Sequence, residues 1–113
     1  MDKSNVKVDR YGTKRYYLNG LLHREDGPAC EYTDGAKAWY KNGKRHRDDG
    51  PAVEYTNGEK WWYKNGEVHR EDGPAVEWSS SEKAWYLNYK FYGYDDDFTN
   101  ESWIKFVKTL IFS

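Results

Sequence analysis

The chain has 113 residues, the size of one domain, and its 19 acidic and 18 basic residues leave a net charge of −1. This balance excludes the strong electrostatic footprint of a general nucleic-acid binder. The mean hydropathy of −1.16 is typical of a disordered chain, but an aromatic content of 19% is far above what disordered segments carry. We therefore expect a thin fold in which flat aromatic side chains bury much of the area.

The cysteine count and the N-terminal residues bear on the cellular compartment. Cys30 is the only cysteine, which excludes an intrachain disulfide and favours a reducing compartment. Residues 1–7 lack the apolar stretch of a signal peptide, and no segment approaches the ~20 apolar residues of a membrane span. The sequence predicts a soluble cytoplasmic protein without a membrane partner.

A unit of 23 residues recurs three times along the chain. His23, His46 and His69 stand one period apart, and each is followed by Arg-x-Asp-Gly-Pro-Ala. A fixed period of this length is typical of solenoids and repeat arrays. The pattern divides a single domain, 1–113, into an N-terminal half-repeat at 1–15, full repeats at 16–38, 39–61 and 62–84, a partial repeat at 85–98, and a C-terminal helix at 99–113.

Each unit carries two turn signals that favour strands. The Asn-Gly pairs at 19–20, 42–43 and 65–66 predict tight type I′ hairpin turns, and the pairs at 34–35 and 57–58 predict the same. The proline of Asp-Gly-Pro removes a donor, so this element should interrupt the hydrogen-bond ladder once per unit. The sequence therefore predicts a mostly β protein, an elongated antiparallel sheet of hairpin repeats with a C-terminal capping α-helix.

The predicted helix has its own period. Its apolar residues fall at i, i+3, i+4 and i+7, the spacing of one helical face, and are Trp103, Phe106, Val107 and Leu110. Thr99 or Asn100 can cap its start. A helix this short is marginal alone in water, so we expect it to pack on the open end or one face of the sheet.

The His-Arg-x-Asp set is the candidate for chemistry because it recurs in every unit. Equivalent residues of successive units should lie two strands apart, roughly 9–10 Å, and cannot share one zinc ion with ligands at about 2.1 Å. No serine or cysteine recurs beside the set as a nucleophile. Cys30 takes the place of Val53 and Val76, so we expect it to be a buried small residue. The sequence predicts no metal, no cofactor and no catalytic residue.

Stacking of the repeats explains the invariant positions better than chemistry does. The glycine of each Asp-Gly-Pro should permit an unusual backbone angle, and the aspartate should accept backbone N–H groups in the same turn. The tryptophans that open the units should form an apolar stripe. The repeated arginines and histidines can satisfy carbonyls or the neighbouring carboxylates of Glu31, Glu54 and Glu77.

Function is expected where the copies differ. The two positions after the Asn-Gly turn read Leu-Leu, Lys-Arg and Glu-Val in the three units, and Trp61 takes the place of Ala38 and Ala84. Tryptophan and arginine are the residues most often found as interface hot spots. The candidate partner-binding residues are Leu21, Leu22, Arg45, Trp61 and Val68.

The sequence Trp-Tyr-x-Asn-Gly-x-x-His-Arg-x-Asp-Gly-Pro-Ala, at 39–52 and 62–75, resembles the variant MORN-type repeats of bacteriophage and giant-virus proteins. The resemblance covers residues 10–92, and 98–108 are similar to the ending of small phage accessory proteins. The unit departs from the Gly-rich eukaryotic MORN pattern, whose link to membranes is not carried over. The resemblance implies a sheet of stacked hairpins and a small, non-catalytic viral protein that acts by binding inside the host.

Two functions follow as hypotheses, with an unrecognised enzyme as a weaker third. The first is a protein-binding module that inhibits or modulates a host protein, of bacterial defence or regulation, in the host cytosol. The alternative is a binder of a nucleotide or of single-stranded nucleic acid, in which arginines clamp phosphates beside aromatic rings. Its candidate contacts are Arg24, Arg47, Arg70, His23, His46 and His69. An uncovered strand edge could also pair two copies into a homodimer.

Overall fold

The computed structural model describes residues 3–111 and is mostly β, with one α-helix at its C-terminal end. The elements are β1 (Ser4–Val8), β2 (Lys14–Leu18), β3 (Leu21–Leu22), β4 (Cys30–Glu31), β5 (Lys37–Ala38), β6 (Tyr40–Lys41), β7 (Lys44–Arg45), β8 (Val53–Glu54), β9 (Lys60–Trp61), β10 (Tyr63–Lys64), β11 (Glu67–Val68), β12 (Val76–Glu77), β13 (Lys83–Leu87), β14 (Lys90–Tyr94) and α1 (Asn100–Ile111). A 3-10 turn, Asp95–Asp97, connects β14 to the segment before α1.

One antiparallel sheet carries ten of these strands, in the order β1-β2-β4-β5-β8-β9-β12-β13-β14, with β3 paired to β2. The other four described strands form two ribbons, β6–β7 and β10–β11. The predicted antiparallel hairpin sheet is confirmed, except that two of its hairpins leave the main ladder. The departure from the main sheet occurs within three residues. The Trp39 N–H still donates to Ala52 O in the main sheet, whereas Lys41 pairs with Lys44 inside the β6–β7 ribbon.

The Asn-Gly turns at 19–20, 42–43 and 65–66 have the predicted conformation. Both residues of the Asn19-Gly20 turn have positive φ, 52° and 81°, and the two later Asn-Gly turns repeat these values within a few degrees. This is the type I′ geometry, which matches the twist of a two-stranded ribbon. The fourth copy, Asn88-Tyr89, keeps the conformation with φ of 49° and 72°, although a tyrosine stands where glycine is favoured.

The second type of turn differs from the type I′ prediction. At the Asp-Gly pair only Gly35 has positive φ, 97°, and its N–H donates to Tyr32 O at 3.0 Å. This is a type I turn followed by a left-handed glycine, as in a three-residue hairpin loop. The reason is local, because the Asp34 carboxylate accepts the Ala36 N–H at 2.9 Å and takes the place of a backbone acceptor.

The molecule is thin, with extents of 44 × 35 × 19 Å, and its core is divided into small clusters along the sheet. One cluster joins Cys30, Ala38 and Val53, and the next joins Val68, Val76 and two alanines. Half-buried tryptophan and tyrosine rings pack against both. No helix within residues 3–111 is long and apolar enough to cross a membrane.

The N-terminus of the C-terminal helix is capped by Thr99. Thr99 Oγ1 accepts the Ser102 N–H at 3.1 Å, and Ser102 Oγ accepts the Thr99 N–H at 2.8 Å. Trp103 and Val107 are buried, whereas Leu110 is 44% exposed at the rim. The helix packs on the last strands of the sheet, and the remaining predicted helical residues, 112–113, lie outside the described part of the chain.

We expect Trp103→Ala to destabilise the protein by about 3–5 kcal/mol, because a fully buried ring leaves a cavity. The Trp103 ring lies 5.4 Å from that of Trp85, and its Nε1 donates to Arg70 O at 2.9 Å, so the substitution also orphans a carbonyl. Urea unfolding measures the change. The exposed Lys105 on the same helix provides the control, and Lys105→Ala should change the free energy of unfolding by less than about 0.5 kcal/mol. Equal effects of the two substitutions would refute the capping role.

Candidate functional site

Each Arg-x-Asp-Gly-Pro segment folds around its own arginine. In the middle unit, Arg47 Nε donates to Asp49 Oδ1 at 3.2 Å, and Nη1 donates to Pro51 O at 3.0 Å and to Glu54 Oε2 at 3.4 Å. The guanidinium also lies 3.8 Å from the centroid of the Trp39 ring, a cation–π contact. Arg24 and Arg70 make the same set of contacts in their units.

The glycine of this segment is needed for space and not for a backbone angle. A Cβ added to Gly50 would lie 2.9 Å from Arg47 Cζ, and the equivalent distances are 3.2 Å at Gly27 and 2.7 Å at Gly73. None of the three has positive φ, so the expected unusual angle was wrong. The aspartate prediction was also wrong, because Asp49 accepts from the arginine Nε rather than from the turn's backbone. The guanidinium is therefore held between a ring and a glycine.

The repeated histidines connect each unit to the next. His46 Nδ1 accepts the Asn65 N–H at 3.0 Å, and its Nε2 lies 2.8 Å from Asp48 Oδ1. Since a backbone N–H can only donate, Nδ1 carries no proton, and the ring proton is on Nε2, which donates to the carboxylate. The same two contacts recur at His23 and His69. Each imidazole thereby positions the tight turn of the following unit, an Asn-Gly turn after His23 and His46 and Asn88-Tyr89 after His69.

These contacts leave the six candidate ligand-binding residues little capacity for a ligand. Both nitrogens of each histidine are used, and each arginine already faces two carboxylates. The grooves between successive loops, of about 580 and 620 Å³, are lined by carboxylates as well as by these arginines. No group of three or more His, Cys, Asp or Glu residues is placed to hold a metal ion within residues 3–111.

The opposite side of the sheet carries a continuous row of aromatic rings. Centroid distances along the row are 6.4 Å from Tyr63 to Trp61, 6.4 Å to Trp78, 6.5 Å to Tyr94 and 4.6 Å to Phe91. Because side chains alternate along a strand, the tyrosines two residues after Cys30 and Val53 lie on this side as well. We call this surface the aromatic face; its members are Tyr32, Tyr40, Tyr55, Trp61, Tyr63, Trp78, Tyr86, Phe91 and Tyr94.

The predicted partner-binding residues separate into surface and core. Leu21 is 49% exposed, Arg45 is exposed, and Trp61 is half-buried with a buried Nε1 that has no hydrogen-bond partner among the described residues. Leu22 is half-buried against a core cluster. Val68 is 5% exposed inside its own cluster. The prediction for Val68 is therefore corrected: the ribbon turns this side chain inward, and it offers no surface to a partner.

Cys30 is buried, as expected from its equivalence to valines. Only 2% of the residue is exposed, and this burial raises the pKa of its thiol, although the Tyr32 hydroxyl and the charges of Arg15 and Arg45 act in the opposite direction. A raised pKa lowers the thiolate fraction at any given pH, and the thiolate is the reactive form. The site is therefore that of an inert structural cysteine.

We expect Cys30 to react with a disulfide reagent such as DTNB only when the protein unfolds. The absorbance of released thiolate, followed with and without urea, measures the reaction. Cys30→Val, the residue of the other two units, should abolish the reaction and change the free energy of unfolding by less than about 1.5 kcal/mol. Rapid stoichiometric reaction of the folded protein would contradict this burial.

We expect Gly50→Ala to destabilise the protein by about 1–3 kcal/mol, because the new methyl group displaces the Arg47 guanidinium from the Trp39 ring. The control is the same substitution in an Arg47→Ala background, where the cost should fall below about 0.5 kcal/mol because the clash is gone. Urea unfolding of the four proteins completes the cycle. An unchanged cost in the second background would mean that glycine is required for another reason.

Comparisons of the chain with protein-family models, with curated proteins and with solved structures found no match. A functional proposal therefore rests on the geometry of the sheet. This geometry consists of two unlike sides of one sheet: a side whose repeated His, Arg and Asp residues bind one another, and a side that presents aromatic rings with Arg45 among them.

Proposed function

We propose that this chain is a non-catalytic binding protein that engages a protein partner through its aromatic face. The observation that carries the proposal is the unbroken row of rings from Tyr63 to Phe91 on one side of a thin sheet. Four members are exposed: Tyr94 at 57%, Tyr55 at 46%, Phe91 at 42% and Tyr32 at 38%. Extended apolar surface of this kind marks interaction sites in monomeric proteins.

Aromatic side chains suit such a surface for two physical reasons. Each ring offers a large contact area with only two rotatable side-chain bonds, so its immobilisation on binding costs little conformational entropy. Tyrosine also keeps a hydroxyl for hydrogen bonding at the rim, and both tyrosine and tryptophan are enriched among interface hot spots. In a molecule whose smallest extent is 19 Å, the proposed partner would cover the area that a second layer covers in a globular domain.

The geometry supports the nucleotide alternative less well. That hypothesis depends on the guanidinium groups of Arg24, Arg47 and Arg70, and each of these is packed on a ring and paired with two carboxylates. A phosphate entering the groove of the middle units would meet Asp48, Asp49 and Glu71 as well as the arginines. Binding a phosphate to these arginines would first break their ion pairs with the carboxylates, a free-energy cost that unpaired, solvent-exposed arginines would not carry.

The resemblance to repeats of bacteriophage and giant-virus proteins supports a more specific proposal about origin. We propose a virus-encoded accessory protein that acts in the cytoplasm of the infected cell, where it inhibits or modulates a host protein of bacterial defence or regulation. The absence of any free acid–base pair among the repeated residues is in keeping with action by binding, since both nitrogens of each described histidine are occupied.

We expect the immobilised protein to capture one host protein in near-stoichiometric amount from a bacterial lysate, and Tyr55→Ala/Tyr94→Ala to reduce that capture at least about tenfold. The reason is that both rings are exposed members of the aromatic face and support no core cluster. Quantitative mass spectrometry of the retained proteins provides the measurement.

Tyr11 provides the matched control, because it is 68% exposed but lies in the turn between β1 and β2. Tyr11→Ala should retain the captured protein at the wild-type level. If no protein is enriched, or if the double variant and Tyr11→Ala retain it equally, the aromatic face is not the binding surface.

A further inference from the structure

Arg45 stands where the neighbouring units have apolar residues. The equivalent positions are Leu22 and Val68, and both pack against core clusters. In the middle unit a cation takes this place, at the end of the β6–β7 ribbon and beside the aromatic face. Because both flanking units have apolar residues at this position, stacking of the repeat does not require the charge of Arg45.

Two tyrosine hydroxyls hold the Arg45 side chain. Its Nε donates to Tyr40 Oη and its Nη1 to Tyr63 Oη, both at 3.3 Å, and the guanidinium lies 5.4 Å from the centroid of the Tyr63 ring. Nη2 makes no hydrogen bond within residues 3–111, and Nη1 has a second hydrogen to donate. The Arg45 guanidinium is therefore held in position, and its remaining N–H groups can still donate to a ligand.

Arg45 also lacks a counter-ion among the described carboxylates. Four of the chain's five other arginines are paired with one: Arg15 with Asp9 at 3.0 Å, and the three repeated arginines with an aspartate and a glutamate each. The fifth, Arg10, contacts Tyr11 in the turn between β1 and β2, away from the aromatic face. Arg45 forms no ion pair in residues 3–111. A cation flanked by phenol rings and left unpaired gains more from an incoming anion than a fully hydrated one, because part of its desolvation has already occurred.

We propose that Arg45 anchors a carboxylate of an acidic segment of the partner protein, whose neighbouring apolar side chains lie on the aromatic face. This proposal rests on the proposed function. The planar guanidinium matches a carboxylate, which can accept from Nη1 and Nη2 together. Tyr63 connects the two parts of the site, since its hydroxyl holds Arg45 and its ring continues into the row through Trp61.

A protein segment fits this charge distribution better than a nucleic acid does. A phosphate backbone is bound by several cations in register. Among the described residues, this side has one guanidinium without an ion pair, and Lys7 lies apart from it on the edge strand β1, over the Tyr17 ring. Arg15, which lies opposite Cys30 on the same side of the sheet, is neutralised by Asp9. The chain as a whole carries a net charge of −1. One carboxylate is the complement of one unpaired cation.

The test uses a displayed library of random 12-residue peptides, selected on the full-length protein. We expect the enriched peptides to carry an aspartate or glutamate beside apolar residues. One such peptide and its copy with the acid replaced by the amide are then titrated. On the wild-type protein the amide version should bind about tenfold more weakly, the range expected for a hydrogen bond to a charged group.

On Arg45→Gln the two peptides should bind equally, since the charge they distinguish is gone. Arg45→Leu, which installs the residue found at position 22, should behave in the same way and checks that the result does not depend on the glutamine. Arg10→Gln removes a charge that lies beside Tyr11, away from the aromatic face, and should preserve the tenfold difference. Circular dichroism and urea unfolding establish that every variant is folded.

Three results would overturn the proposal. The first is a selection without preference for acidic residues, and the second is a difference between acid and amide that persists in Arg45→Gln. The third is Arg45-dependent binding of a 12-nucleotide oligothymidylate, which would assign the cation to a nucleic acid. If peptides bind without acidic preference but are lost in Tyr55→Ala/Tyr94→Ala, the role of Arg45 fails while the aromatic face remains a protein-binding surface.

Discussion

A guanidinium held between an aromatic ring and a glycine is the contact on which the architecture depends. A molecule with a smallest extent of 19 Å has no globular interior, so each unit must cover the ring that opens it. Arg47 does this at 3.8 Å from the Trp39 ring and also ties its own loop. One period after Arg70 the chain has Gly93, and there Phe98 and Trp103 cover Trp85 instead, at 5.6 and 5.4 Å. The helix therefore caps the array by replacing the arginine that the next unit would have supplied.

The contacts within and between units leave the copies able to differ at the position of Leu22, Arg45 and Val68. Arg47, Asp49 and Pro51 contact one another within one unit on the loop side of the sheet, whereas His46 connects its unit to the next one through the Asn65 N–H. The position occupied by Leu22, Arg45 and Val68 contacts the next unit's turn through its backbone carbonyl, a bond that does not depend on the identity of the side chain. It can exchange an apolar residue for a cation without unstacking the array, and there a binding specificity can arise while the fold persists.

The sequence was most informative where the signal is local. The Asn-Gly turns follow from their φ requirements, and Thr99 and the helical spacing after it predict the capped helix. The role of Gly50 could not be predicted, because the need for space depends on where Arg47 folds back. Val68 was misassigned for a related reason, since the direction of a ribbon side chain is fixed by tertiary packing. Counting two positions from Val53 could have placed Tyr55 on the same side of the sheet, but not its exposure, which depends on how little of the chain packs over it.

The two sides of the sheet are mechanically connected through the histidines. The unprotonated Nδ1 of His46 accepts the Asn65 N–H, and the next amide, that of Gly66, donates to Arg45 O at 2.8 Å. These two bonds fix the turn of the β10–β11 ribbon, and that ribbon carries Tyr63, whose hydroxyl holds the Arg45 guanidinium. The His-Arg-x-Asp motif therefore supports the proposed binding site without touching a ligand. It aligns one unit's tyrosine with the preceding unit's arginine, which places a single cation at a defined point beside a row of rings.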